Sequence, residues 1–342
     1  MTSLSLEAAT RLAEAALTAS GASAAVAART AAALVHAEAD GQPGHGLSRV
    51  PSYALQVRAG KVDGRAVPRL TRAGPSLVRV DACFGFAYPA IDLAIDELLR
   101  LVPETAIAAA AIHRSHHFGQ AGAHVERLAA RGLVGLLFGN TPQAMAFWGG
   151  SEARTGTNPI AFAAPLPGGR PPLVVDLALS VAARGKIVAA RDAGRAIPAG
   201  WALDCNGNTT TDPAAALTGT LRPIGESKGA ALALMVEVLA AALTGSSFGW
   251  EASSMFDDRG GPPDMGQLLL AIDPGPLSGG RYLSRMGTML EAIAADPGTR
   301  LPGDRRLACR EQAARQGLEL PDALVAELQS LAAGIIPAVS AR

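Results

Sequence analysis

The sequence predicts an α/β fold in two lobes. Short strand-like runs are interspersed with runs of helical apolar spacing, and no internal repeat or low-complexity linker separates them. At 342 residues the chain also exceeds the ~250–300 residues at which a single core stops growing.

The elements follow in order. Residues 5–39 are rich in Ala and Leu at helical spacing, broken at Ser20-Gly21-Ala22-Ser23, which predicts a helical hairpin whose second helix is capped by Ser23. The hairpin leads into Gly44-His45-Gly46-Leu47-Ser48-Arg49-Val50-Pro51-Ser52-Tyr53. Beyond a turn at 60–64, strands are expected at 76–81 and 133–138, with a helix at 90–101 between them. The Gly- and Pro-rich stretch 150–175 holds two further strands, 160–164 and 173–176, joined by a turn at Pro167-Gly168-Gly169. Residues 192–212 are polar and turn-rich. The most apolar segment, 229–243, contains Glu237 and is shorter than the ~20 residues needed to span a bilayer, so a buried helix is expected there. A strand ends at Asp273-Pro274, and 281–295 and 321–333 read as helices.

Charge narrows the function. The 30 basic and 30 acidic residues balance at a pI near 7.0, with no long basic run, so a nucleic acid or an anionic membrane is not an expected partner and a small molecule is. Cys83, Cys205 and Cys309 are far apart and form no CxxC pair, which argues against a disulfide framework or zinc knuckle and for a reducing, cytoplasmic setting. Glu7 and Arg11 interrupt what would be the apolar core of a signal peptide, so no export signal is expected.

The richest chemistry lies in the glycine-flanked motif. Arg49 offers a planar fork that grips a carboxylate bidentately, and His45, with an ordinary pKa of about 6.5, exchanges a proton near neutrality. These are the minimum groups for reducing a small 2-oxo or 2-imino acid, although a polar loop with a capping histidine would read the same way. Tyr53, four residues on, could line the same pocket. Only three of the 30 basic residues are lysine, and two of them, Lys186 and Lys228, sit in glycine-flanked polar steps; Lys228 directly precedes a long helix, where a pyrophosphate would be welcome. No GxGxxG stands at a strand-to-helix turn, and there is no Walker A sequence. His36 and His124 fall on helical patterns as surface or packed residues. His113, His116 and His117 follow an apolar run; the adjacent pair would point apart in an extended segment, so no metal site is expected.

Together the motifs resemble the type-2 malate/L-lactate dehydrogenase family, which includes ureidoglycolate dehydrogenases and Δ1-piperideine-2-carboxylate/Δ1-pyrroline-2-carboxylate reductases. The resemblance runs over nearly the whole chain. It is carried by His45-Gly-Leu-Ser-Arg49 with Tyr53, His117-Phe-Gly119, Asn140-Thr141, Trp148-Gly-Gly150, Gly156-Thr-Asn-Pro159, Asp176, Arg184-Gly-Lys186, Ile197-Pro-Ala-Gly-Trp201, Lys228-Gly229 and Leu301-Pro-Gly-Asp-Arg305. It implies a dimeric, NAD(P)-dependent cytoplasmic enzyme with a non-Rossmann cofactor domain on a mostly antiparallel or mixed sheet, and helical N-terminal and C-terminal parts. Residues 1–110 with 285–342 would form the helical, substrate and dimerisation domain and 111–284 the NAD(P)-binding domain, with the active site between them.

The resemblance also implies roles. His45 would exchange the proton and Arg49 would hold the carboxylate, with Tyr53, Thr157, Arg184 and Gly185 near the substrate. His117, Phe118, Gly119, Gln120 and Ala121 would border the nicotinamide. Asn158, Asp176, Leu177, Ala178, Lys186, Lys228, Gly229, Asp304, Arg305 and Arg306 would hold the dinucleotide, NADPH or NADH, with the arginines at 300, 305 and 306 available to a 2′-phosphate. Two positions depart from the family: Gly44 stands where serine usually precedes the histidine, and Lys186 stands where imine reductases tend to carry an acid. His45 would then be oriented by something else, a backbone carbonyl or Asp176. The expected reaction is hydride transfer between nicotinamide and C2 of a small 2-oxo or 2-hydroxy acid of the malate or lactate kind; reduction of a cyclic 2-imino acid is the alternative, and a relative that binds dinucleotide without turnover is a third.

Overall fold

The computed structural model describes residues 1–335, and the end of the expected 285–342 segment lies outside them. The chain is mixed α/β, with three sheets among the described residues. The largest has seven strands in the order Arg69–Gly74, Leu77–Asp81, Ile107–Ser115, Met265–Ile272, Val134–Gly139, Ile160–Ala164 and Leu173–Leu177. Each neighbouring pair is antiparallel except Leu77–Asp81 with Ile107–Ser115. The expected strand pair at 160–164 and 173–176 is present, with Phe162 opposite Val175.

Two helices cover one face of this sheet. Helix Ala87–Thr105 sets Ile91, Ile95, Leu98 and Leu101 at helical spacing, and all four are buried. They meet Val78, Val80, Ala110 and Ile112, which the strand pleat turns to the same side. Full burial of one such side chain stabilises by roughly 1.5–3 kcal/mol, and trimming Leu98 to alanine would cost about 2–5 kcal/mol with its cavity. Helix Ala121–Ala129 joins them through Val125 and Leu128.

The helical lobe is built from both ends of the chain. Helices Leu6–Ala19 and Ala24–Ala39 form the expected hairpin, and the Ser5 and Ser23 hydroxyls accept from Ala8 N and Val26 N. Helix Val50–Arg58 and helix Asp322–Ala332 share a core with them through Leu17, Leu34, Tyr53, Leu320 and Leu328. Strand Thr2–Leu4 pairs with Leu318–Leu320 and ties the two ends together. Helix Tyr282–Ala294 lies instead beside the sheet's hairpin, where the Tyr282 hydroxyl donates to Pro165 O.

A third core, including Met145, Leu179, Ile187, Leu221 and Val236, joins a five-stranded sheet of short strands to helix Ser227–Glu237. Here one expectation is corrected. The apolar 229–243 segment is a helix continued by a π-helical turn, Val238–Ala242, but it is not buried all round: Leu232, Leu234, Met235, Val238 and Leu243 are 38–62% exposed. Among the described residues no helix is long and apolar enough to cross a membrane.

Candidate active site

The motif folds as two short 3-10 turns, Pro43–His45 and Leu47–Arg49, running into helix Val50–Arg58. Glu38 shapes the join: its Oε2 accepts from Leu47 N at 2.8 Å, and a Cβ at position 46 would sit 2.1 Å from that oxygen, so a side chain there would have to displace the carboxylate. Arg49 closes the second turn. Its Nε donates to Gly44 O at 2.7 Å, and its guanidinium lies 4.6 Å from the centroid of Phe256. The terminal nitrogens have no partner among the described residues, so an edge that could take a carboxylate is free.

Helical spacing carries Tyr53 and Gln56 to one buried face, one turn apart. The Tyr53 hydroxyl bonds His117 Nδ1 and lies 3.1 Å from the Tyr88 hydroxyl. Burial pushes the Tyr53 phenol up to about 12 and Tyr88 higher, and it lowers His117 well below the ordinary imidazole value with help from Arg49. All three groups are therefore neutral. Tyr88 has no other acceptor among the described residues, so the order that uses both hydroxyl protons is Tyr88 to Tyr53 to His117 Nδ1. That order places the imidazole proton of His117 on Nε2.

His45 stacks on His117, with centroids 5.4 Å apart and planes at 11°. Burial first and Arg49 second bring His45 down to about 4. Its buried Nδ1 has no partner among the described residues, and Asp176 accepts instead from Gly122 N. Gly44 has open space where a side chain would stand.

Four expected residues thus come together: His45, Arg49, Tyr53 and His117. Gly119 has φ +66°, and a Cβ there would fall 2.7 Å from the Tyr88 hydroxyl, so this glycine lets Tyr88 reach Tyr53. Thr157 N donates to Thr141 Oγ1 at 2.9 Å, and Thr157 O receives Leu179 N.

Several others occupy structural positions. Phe118 is a core side chain, 2% exposed, packed where a Cβ on Gly139 would collide with its ring. Ala121 is also buried. Asn158 is fully buried and donates to Glu237 and to Ala233 O. Asp176 is taken by Gly122 N, at the start of helix Ala121–Ala129. Gln120 donates to Asp40. Both terminal nitrogens of Arg306 are held by Asp40 and Glu126, which Arg310 also bridges. His36, Asp40 and Glu126 approach one another closely enough to ligate a cation, but these two guanidinium groups already neutralise the carboxylates. Gly229 packs so closely that a Cβ would meet Ile224 O at 1.9 Å.

The remainder are exposed. Arg184, Gly185 and Lys186 open helix Arg184–Asp192, with Arg184 Nη2 on Leu217 O. Lys228 opens helix Ser227–Glu237, whose N-terminus has no side-chain cap. Leu177, Ala178, Asp304 and Arg305 are exposed as well, and Asp304 accepts from Leu301 N.

The structure adds residues that the sequence reading missed. His116 Nε2 bonds Gln56 Oε1 at 2.7 Å, Gln56 Nε2 donates to Met255 O, and Phe256 faces Arg49. Gln56 shares its helical face with Arg49 and Tyr53, which spacing could have shown. Tyr88 and Phe256 carry no local signal.

Residues 4–329 match the family described as malate/L-lactate dehydrogenase. The chain belongs to that family, and it is an oxidoreductase. It is 51% identical over 329 residues to a (2R)-3-sulfolactate dehydrogenase (NADP(+)) of Chromohalobacter salexigens, covering 96% of this chain and 98% of the relative. It is 42% identical over 304 residues to a Δ1-pyrroline-2-carboxylate reductase of Ancylobacter novellus, covering 88% and 89%. A crystal structure of Δ1-piperideine-2-carboxylate reductase from Pseudomonas syringae pathovar tomato superposes with a TM-score of 0.91 at 37% identity, covering 97% of this chain and 100% of that one. In this member of the malate/L-lactate dehydrogenase family, the groups that could hold a carboxylate and move a proton meet where the helical lobe faces the sheet.

Proposed function

We propose that this enzyme interconverts a small 2-oxo acid and its 2-hydroxy acid with NADPH or NADH, NADPH being preferred. The observation that carries this reading is the pairing of an unpartnered, neutral His45 with an Arg49 whose fork is free. Arg49 takes the substrate carboxylate. That pairing offsets the positive charge that helps depress His45, so an anionic substrate raises the imidazole pKa on binding. A protonated His45 then gives its proton to the alkoxide forming at C2, and in the reverse direction neutral His45 accepts the hydroxyl proton. His117, stacked on His45 and with its Nε2–H fixed by Tyr53, would offer that oxygen a hydrogen-bond donor.

Bound cofactor would supply or accept the hydride at C2. The residues present suit a dinucleotide. The N-termini of helices Ser227–Glu237 and Arg184–Asp192 lack side-chain caps and carry Lys228 and Lys186 in their first turns, whereas Gly122 N is already spent on Asp176. Lys228 and Gly229 therefore suit the pyrophosphate, and Arg305, exposed and without a carboxylate partner among the described residues, suits a 2′-phosphate better than the tied Arg306. The relative at 51% identity, a (2R)-3-sulfolactate dehydrogenase (NADP(+)), supports the choice of NADPH.

Among 2-oxo acids, one with a second anionic group fits the basic turn Arg184–Lys186, which has no carboxylate partner among the described residues. Oxaloacetate and 3-sulfopyruvate are such acids. Reduction of a cyclic 2-imino acid is the second reading, supported by the relative from Ancylobacter novellus. Gly44 and Lys186 weigh against it, because they remove a hydroxyl and an acid from the expected relay to the imine nitrogen. The exposed apolar face of helix Ser227–Glu237 suits a second copy of the chain, in keeping with a homodimer.

The test follows nicotinamide absorbance with NADPH and NADH against pyruvate, oxaloacetate, 3-sulfopyruvate and Δ1-piperideine-2-carboxylate. A tenfold or greater preference in kcat/KM for an oxo acid supports the reading, and preference for the imine replaces it with the second.

A further inference from the structure

Lys61 is 2% exposed, yet the site described above does not use it. Its ammonium has three donors, and each meets a backbone carbonyl of one irregular segment: Ser254 O at 2.6 Å, Asp257 O at 3.1 Å and Arg259 O at 2.6 Å. Asp257 Oδ1 stands 3.6 Å away. The same segment is held a second time by Gln56, which donates to Met255 O at 2.9 Å. Both anchors come from the stretch that follows Arg49, and both grip residues about 200 positions further on. Between the gripped carbonyls, Phe256 projects with 60% of its surface exposed and its ring centroid 4.6 Å from the Arg49 guanidinium carbon.

We infer that Lys61 is a positioning residue and Phe256 a substrate-affinity determinant: the ammonium fixes the 254–259 segment so that the phenyl ring covers one face of the Arg49 guanidinium and leaves only its edge for the substrate carboxylate. An exposed apolar ring over a cation is not explained by packing, since most of its surface faces solvent. A guanidinium stripped of water on one face, with Nε spent on Gly44 O, binds an anion in one orientation and more tightly than a freely hydrated one. The inference rests on Arg49 as the carboxylate site.

The experiment uses the full-length protein with Lys61→Met, Phe256→Ala, Phe256→Leu and Phe256→Tyr. Phe256 is exposed, so its variants fold whatever Lys61→Met does. Loss of the ring should raise KM for the preferred substrate about 2- to 30-fold, more than it lowers kcat, with Tyr restoring and Leu failing to restore. Hydrogen exchange of the 253–261 amides should speed up in Lys61→Met. Modification of Arg49 by phenylglyoxal, located by peptide mass spectrometry, should be faster in Phe256→Ala. The last two readouts need no substrate, so they stand even if no 2-oxo acid is turned over. Equal Arg49 modification in the wild type and Phe256→Ala overturns the inference, as does rescue of KM by Leu.

Discussion

The imidazoles of His45 and His117 stack face to face, 5.4 Å between centroids and 11° between planes, beside the guanidinium of Arg49. Three potential cations share one desolvated corner, and the two that can lose their charge do so. The anionic substrate proposed above would reverse this, because it would bring the compensating charge.

Replacing Arg49 by lysine substitutes a point charge for a fork and drops the bond to Gly44 O. KM should rise and kcat/KM fall by at least tenfold, read by steady-state kinetics. His45→Ala should lower kcat by about 10²–10⁴-fold if it is the proton donor; unchanged rates for either variant would remove that residue from the site.

Tyr53→Phe leaves His117 Nδ1 and the Tyr88 hydroxyl without their shared partner in a buried place. The expected loss is about 1–3 kcal/mol of stability by urea denaturation, together with a shifted pH profile of kcat as His117 becomes free to change tautomer. A stability loss with an unaltered pH profile would show that the hydroxyl chain serves packing alone.

Acid should weaken the fold through its buried histidines. His116 and His124 are buried and neutral, held by desolvation at about 3 and about 4 against 6.5. Below 6.5 the unfolded chain takes up protons that the folded chain refuses, so stability is complete above that pH and falls as pH drops toward 4. Each histidine contributes roughly 1–3 kcal/mol to this loss. The midpoint of thermal unfolding, measured between pH 7 and pH 4, should fall, and more shallowly in His124→Gln.

Arg306→Met tests whether this residue belongs to the fold or to the cofactor. Its terminal nitrogens hold Asp40 and Glu126, so removal leaves two buried carboxylates short of a partner, at a cost of about 3–5 kcal/mol. NADPH affinity of the folded variant, read by fluorescence, should change less than that of Arg305→Met. The reverse order would return Arg306 to the cofactor site.

Val238→Glu places a charge on the exposed apolar helix face, where Leu234 and Met235 are neighbours. Sedimentation should show a dimer for the wild type and a monomer for the variant; an unaltered mass would put any interface elsewhere.

The sequence by itself determined a good deal. Helical spacing marked the 5–39 hairpin and the 90–101 helix, short apolar runs bounded by turn residues marked strands such as 160–164, and the motif from His45 to Tyr53 was legible because one turn of chain and one turn of helix keep its members together. Local rules reach that far, since they depend on neighbours in the chain. Only the tertiary structure decided what those side chains face. It brought His117 against Tyr53 across 64 residues and Phe256 over Arg49, and it drew Asn158, Asp176 and Arg306 into structural hydrogen bonds. The apolar 229–243 segment is the same lesson in reverse. Its composition requires that a large apolar area leave water, but whether the chain's own core or another copy covers each face depends on where the sheet lies beneath it.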